Sequence, residues 1–425
     1  MSTTRPRRVA VLADTDSRWK WGMLTARQLE PTDGITPYLL RQADTPSARQ
    51  LAAAGVEPGT VVPVSIPELT IRLAEQPSDV LVIALAGGGV AATVHALAAG
   101  WPGGHRRPVL VSGYFGVVYE KLLEGLAGRA GSDLVLANSP ADAERFREAY
   151  AGLGLDPVAI VETSLPFLGE PVVRTTGRRF TVTFAAQPSV PAAEADRRYL
   201  VERLIRHARL HPDRLVRLKL RGVPGERLTH PEPHPYPGLL RRAGRVPPNL
   251  QLSIGGMGEV LAATDLLVTV SSTAALEAMQ AGIPSVVLTD FGVREALGNQ
   301  YFVGSGCLGS FDELDDGLAP SVDPGWARRH GVGGPGPAAF RARVGELLDG
   351  ELPPPRPYYT LRRSPAYLPA LLAGYGLGPD GRPLRSLAGG RRSRLLRSAV
   401  RGTARTFYRT GSHVVAPALR KLGAL

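Results

Sequence analysis

Short apolar, β-branched runs alternate with stretches of helical periodicity along most of this chain, the pattern of parallel α/β units. In the first half the strand-like runs cover 8–13, 61–64, 80–85, 109–111 and 134–137, with 158–161 a candidate sixth. After the fifth, Asn138-Ser139-Pro140-Ala141-Asp142 reads as a helix start, with Pro at the first position and an acid at the third. Residues 165–179 lose periodicity and contain Pro166, Gly169, Pro171 and Gly177, the marks of a linker. The alternation then restarts, with strand-like runs at 180–185, 215–220, 250–253, 266–270 and 285–289 and helical stretches at 192–210, 258–263 and up to Ala281. The pattern predicts two Rossmann-like, doubly wound α/β domains, at 1–168 and 178–352, with the carboxyl ends of their strands facing a cleft. Residues 353–425 begin on Pro353-Pro354-Pro355 and are expected to form a linker and a basic, amphipathic tail.

The segment from Asp265 to Leu288 carries the most chemistry. A buried-type strand ends at Val270, and Ser271, Ser272 and Thr273 supply three hydroxyls where a helix begins, before Gly282 and Pro284 stop it. A helix start offers unpaired N–H groups and a partial positive charge to an anion. Glu277 lies four residues past Thr273, on the same helix face and too far along to complete a capping box. These residues describe a phosphate-plus-ribose site, with simple capping by Ser271 or Ser272 as the alternative. The stretch resembles the second domain of GT-B glycosyltransferases, in which a Ser/Thr-rich turn followed by E-A-M-x-x-G-x-P holds the donor nucleotide. Here those positions read Ser271-Ser272-Thr273 and Glu277-Ala278-Met279-Gln280-Ala281-Gly282-Ile283-Pro284.

Other cations stand where such a site would want them. Lys219 and Arg221 alternate at the end of a predicted strand, so they share a face and can neutralise a phosphate leaving group; solvated surface charge is the alternative. Gly256, within Gly255-Gly256-Met257-Gly258, precedes a helix and is a second candidate for cradling the nucleotide. Thr229-His230-Pro231 lies upstream of the serine turn, in the order seen in bacterial polysialyltransferases and related capsule transferases, to which the chain is similar. That resemblance implies a donor-phosphate role for His230, with His211-Pro212 a competing match.

In the first half, Asp14 and Asp16 follow the first strand directly, at its carboxyl end. A carboxylate there can act as the general base for an acceptor hydroxyl. A metal-holding D-x-D, an aspartyl nucleophile and simple helix capping are the competing readings. Lys20 sits close by, between Trp19 and Trp21, which either stack on sugar or pack in the core. Gly88 and Gly89 belong to a G-x-G-x-x-A run, yet no acid lies between Asp79 and Glu120 to hold a dinucleotide ribose. These glycines, and Gly113 with Tyr114 after the fourth run, are candidate acceptor loops.

Composition narrows the setting. A single cysteine, Cys307, excludes an internal disulfide and fits a reducing compartment. The first residues lack the apolar core of a secretory signal, and no run of about 18 apolar residues occurs. The chain carries a net +12, but residues 376–425 alone hold eleven Lys/Arg against one acid, which leaves only +2 for the other 375 residues. Basicity confined to a tail argues against a nucleic-acid groove and for attraction to an anionic membrane surface.

The expectation is a cytoplasmic, GT-B-like glycosyltransferase, peripheral on the inner face of the membrane, that takes a nucleotide-sugar as substrate and needs no cofactor and no metal. Its acceptor would be a glycan or lipid-linked hydroxyl of the cell envelope, its outcome inverting, and the polysialyltransferase resemblance favours a CMP-sialic-acid-type donor. An alditol-phosphate transferase and a non-catalytic sugar- or nucleotide-binding protein are the alternatives.

Overall fold

The computed structural model describes residues 7–384 except 31–33, 42–45, 54, 102–105, 118, 120, 176–177, 223–225, 227–231 and 319. Strands β1 (Val9–Ala13), β2 (Ile35–Leu40), β3 (Val62–Val64), β4 (Val80–Ala84), β5 (Val109–Gly113), β6 (Leu134–Ala137) and β7 (Ile160–Glu162) form one parallel sheet in the order β3-β2-β1-β4-β5-β6-β7. Strands β8 (Thr181–Ala185), β9 (Leu215–Lys219), β10 (Leu250–Ser253), β11 (Leu266–Thr269), β12 (Ser285–Leu288) and β13 (Leu308–Gly309) form a second, in the order β10-β9-β8-β11-β12-β13. The central strands VAVLA and VLVIA are buried along their whole length, as they must be when helices cover both faces. In register, Val9 faces Val80 and Ala13 faces Ala84. Each sheet reverses its strand order beside its first strand, between β1 and β4 and between β8 and β11. Such switch points open crevices at the carboxyl ends of strands.

Helices α1 (Asp16–Arg27), α2 (Ala48–Ala53), α3 (Ile66–Glu75), α4 (Gly87–Gly100), α5 (Leu122–Arg129) and α6 (Pro140–Gly152) accompany the first sheet, and α7 (Glu194–Leu210), α8 (Tyr236–Arg242), α9 (Met257–Ala262), α10 (Ala274–Gln280) and α11 (Phe311–Asp315) the second. Helix α6 starts as its sequence dictates: Pro140 is its first residue, and Ser139 Oγ accepts from the Asp142 amide at 3.1 Å.

The chain then returns to the first sheet earlier than the boundary at 352 expected from the sequence. Helix α12 (Pro324–Arg329) packs on α6, and α13 (Ala338–Asp349) on β5 and β7. Arg329 pairs with Glu144 at 2.7 Å, and Arg106 donates to the Leu347 carbonyl at 2.8 Å. Helix α14 (Tyr367–Gly374) lies on α4 and buries Leu368 and Leu372. Apolar residues of α13 and α14 find their burial on the first sheet, which is why this segment is not a spacer.

Trp19 and Trp21 are fully buried, so the sugar-stacking reading fails. A Cβ on Gly113 would stand 2.7 Å from the Trp21 ring, so this glycine accommodates indole rather than a ligand. Their core also holds Phe167 of the inter-sheet segment and Ala275 and Met279 of α10, and it spans both sheets. Among the described residues, no helix is long and apolar enough to cross a membrane. The basic tail from 385 onward lies outside the described residues.

Candidate functional site

Residues just beyond β1 and β9 meet across the cleft. Arg221 donates from Nε and Nη2 to Oδ2 of Asp16, at 3.2 Å each, and from Nη2 to Ser17 Oγ. Beside this bridge, Ser47 Oγ and Arg49 Nε each donate to Oε1 of Glu226 at 2.8 Å. Asp14, 5% exposed, is held separately: Arg18 Nη1 reaches both its oxygens, at 2.8 and 2.7 Å. The same guanidinium lies 5.6 Å from the centre of the Phe115 ring. Arg18 is a site residue that sequence reading missed, although its position one turn after Asp14 was the available signal.

The floor of this cleft is cationic. Lys219, the last residue of β9, is 7% exposed, and its ammonium has no hydrogen bond or ion pair among the described residues. Burial lowers its pKa to about 8; Arg221, Arg49 and Lys20 push the same way and Glu277 opposes them. Glu277 on α10 is half-buried, and its carboxylate likewise has no hydrogen bond or ion pair among the described residues. Burial raises its pKa, while Lys20, Lys219 and Arg221 pull it down and Glu170 adds to the rise. Lys20 pairs with Glu170 at 3.4 Å and lies 5.0 Å from the centre of the Phe167 ring. Lys219, Arg221, Lys20 and Glu277 therefore share one field, with a buried cation and a half-buried anion each lacking a direct partner among the described residues.

The serine turn is built differently from the expectation. Helix α10 begins at Ala274, and Ser272 Oγ accepts from the Ala274 amide at 3.2 Å. The amides of Ala275 and Leu276 bond to the carbonyls of Ser272 and Thr273 at 3.0 Å. The N–H groups expected to cradle phosphate are thus largely satisfied within the turn. Ser271 is structural as well: it donates to the Leu297 carbonyl and accepts from Gln187 Nε2 at 3.2 Å, while its amide donates to Gln187 Oε1 at 2.9 Å. Gln187, just past β8, locks the switch point between β8 and β11; its place after a strand end was the signal for it. Thr273 is half-buried, and its hydroxyl makes no hydrogen bond among the described residues.

The remaining candidates scatter. Gly256 is exposed at the start of α9. A Cβ on Gly88 would meet Leu371 of α14 at 2.9 Å, and one on Gly89 would meet Leu85 at 3.0 Å and the Tyr375 hydroxyl just past α14 at 3.3 Å, so these glycines accommodate close packing rather than a ligand. Tyr114 packs against Tyr119 and Phe146, 3.9 Å over the Arg129 guanidinium, and its hydroxyl donates to the Leu122 carbonyl at 3.3 Å. His230 lies outside the described residues. His211 caps α7 ahead of β9, at the amino ends of the strands, so it cannot serve a phosphate beside Lys219.

Residues 9–347 match the family described as "Putative glycosyltransferase (DUF6716)". The chain belongs to the DUF6716 family. No curated protein matches this DUF6716 chain. Among solved structures, it is similar to the UDP-GlcNAc 2-epimerase of Neisseria meningitidis bound to UDP-GlcNAc, at 10% identity and a TM-score of 0.52, over 80% of this chain and 98% of that one. The corresponding epimerase of Methanocaldococcus jannaschii gives 11%, 0.53, 80% and 99%. Anabaena HepE in complex with UDP-glucose gives 14%, 0.50, 81% and 99%. At these identities the likeness establishes the fold, and the DUF6716 chain is GT-B-like in architecture.

Proposed function

We propose that this protein transfers a sugar from a nucleotide-sugar to an acceptor hydroxyl, with the diphosphate bound at Lys219 and Arg221 and the ribose at Glu277. The observation that carries the reading is the buried ammonium of Lys219, without an ion pair or hydrogen bond among the described residues, within the field of Glu277, whose carboxylate is likewise unpaired among them. A desolvated cation is costly unless an anion joins it, and a diphosphate supplies one. Glu277 then accepts from the ribose hydroxyls. Transfer breaks the bond from the anomeric carbon to the phosphate oxygen and forms one to the acceptor oxygen, whose proton passes to a carboxylate. Lys219 and Arg221 stabilise the charge that grows on the departing phosphate.

Asp16 is the base in this reading. Arg221 bridges Asp16 to the donor site, so a diphosphate that draws Arg221 toward itself loosens the carboxylate as the acceptor arrives. Asp14 keeps Arg18 in place. A uridine donor is the first to test, since two of the similar structures hold UDP-sugars; a CMP-sialic-acid-type donor depends on His230. A glycan or lipid-linked acceptor at an anionic membrane, reached through the basic tail, completes the proposal.

The test is product analysis with a panel of UDP-sugars. The reading expects release of the nucleoside diphosphate, slow with water and faster with acceptor, undiminished by EDTA. Conversion of UDP-GlcNAc to its C2 epimer without UDP release would replace it with an epimerase. Transfer of glycerol phosphate from CDP-glycerol would favour the alditol-phosphate alternative.

A further inference from the structure

We infer that His207 and His211 form a binding site for a divalent transition ion of the zinc class, held in place by Asp315 and separate from the cleft. The two histidines end α7 one turn apart, on one helix face. His207 is fully buried and His211 half-buried; their ring centres stand 4.5 Å apart. The Nε2 atoms of both are buried and have no hydrogen-bond partner among the described residues. Buried polar atoms usually find a partner, and here two neighbouring imidazoles each leave one without any among the described residues.

Asp315 of α11 explains the orientation. Its Oδ1 lies 2.7 Å from His207 Nδ1, so Nδ1 carries the proton and the lone pair falls on Nε2. A carboxylate behind an imidazole is the arrangement that fixes and strengthens a metal-ligating histidine. The other oxygen of Asp315 is held by Arg203 at 3.0 Å and faces Arg206 at 3.5 Å, while Arg203 also reaches Asp312 at 2.7 Å. The carboxylate is therefore an anchor, and the ligands are two imidazole nitrogens with water completing the shell. One donor atom from each of the three side chains, the anchoring carboxylate of Asp315 included, lies within 4.8 Å of the others. Imidazole donors select zinc, cobalt or nickel over magnesium or calcium. Half-exposed His211 provides the entry path. The site stands at the amino end of β9, whereas Lys219 closes its carboxyl end, so the ion joins α7 to α11 and plays no part in the proposed transfer.

The experiment uses the full, untagged chain after EDTA treatment and gel filtration, titrated with Zn²⁺ by calorimetry and with Co²⁺ by visible absorption. One equivalent of zinc is expected, with cobalt d–d bands, a thermal midpoint raised by zinc, and no competition from millimolar Mg²⁺. His211→Ala, at the half-exposed position, should abolish the bands and the midpoint rise. Asp315→Asn should weaken zinc by about 10–100-fold; His211→Gln serves if either variant loses its circular dichroism. UDP binding should be unchanged throughout, which separates failure here from failure of the glycosyltransferase reading. No zinc uptake by the parent, equal uptake by the His211 variants, or displacement by Mg²⁺ would overturn the inference.

Discussion

Replacing Lys219 with methionine should make the nucleotide-free protein more stable while it weakens nucleotide binding. Methionine keeps the length of the side chain and removes the charge. The ammonium sits 7% exposed with no ion pair among the described residues, and burial holds its pKa near 8 instead of 10.5. That difference corresponds to about 3 kcal/mol against the charged form in the folded state. The sign follows from linkage: the folded pKa is depressed, so the penalty is fully present below pH 8. It fades as pH rises from 8 toward 10.5, where the folded state sheds its proton before the unfolded chain does. Urea titrations should place the variant about 2–3 kcal/mol above the parent at pH 7, with m unchanged and the gap closing by pH 10. UDP affinity should drop by about 1.5–3 kcal/mol, the worth of a charge-assisted hydrogen bond. A variant less stable than the parent at pH 7, or a gap that does not change with pH, would refute the unpaired-cation argument.

Glu277→Ala should cost UDP about 1.5–3 kcal/mol in calorimetry while UMP and UDP lose alike, because the lost bond is to ribose. UDP affinity of the parent should fall as pH rises through about 8, where Lys219 deprotonates, with proton uptake visible across buffers of different ionisation enthalpy. Asp16→Asn should lower turnover by about 10²–10⁴-fold with nearly constant donor affinity. Asp14→Asn should act through Arg18 and be milder. Truncation after Pro379 should abolish salt-sensitive co-sedimentation with anionic vesicles, to which each basic residue near the surface contributes about 1 kcal/mol.

Periodicity alone made most of the scaffold legible, since strands buried on both faces read as continuous apolar runs. Strand β2, Ile35–Leu40, escaped because Pro37 interrupts it and proline usually marks an edge or a non-strand. Strand β13 is two residues long and offers no pattern to read. The alternation of Lys219 and Arg221 at a strand end was visible, as was the place of Glu277 on its helix. What the residues could not announce is which partners each would find. Gln187 claims Ser271 from a distant strand end, and the amides of the serine turn close on their own neighbours. The glycines at 88 and 89 looked like a ligand loop because the helix that covers them, α14, is nearly 280 residues further along. Trp19 and Trp21 flank a charged lysine in sequence, yet both rings point into the core.

The central claim is that a nucleoside diphosphate binds between Lys219 and Glu277, and the structure of the UDP complex tests it most directly. The account predicts a phosphate oxygen within about 3 Å of Lys219 Nζ, the ribose hydroxyls on the Glu277 carboxylate, and Arg221 turned from Asp16 toward the diphosphate. A nucleotide bound elsewhere on the chain, or one in the cleft with Lys219 and Glu277 still unpaired, would contradict it.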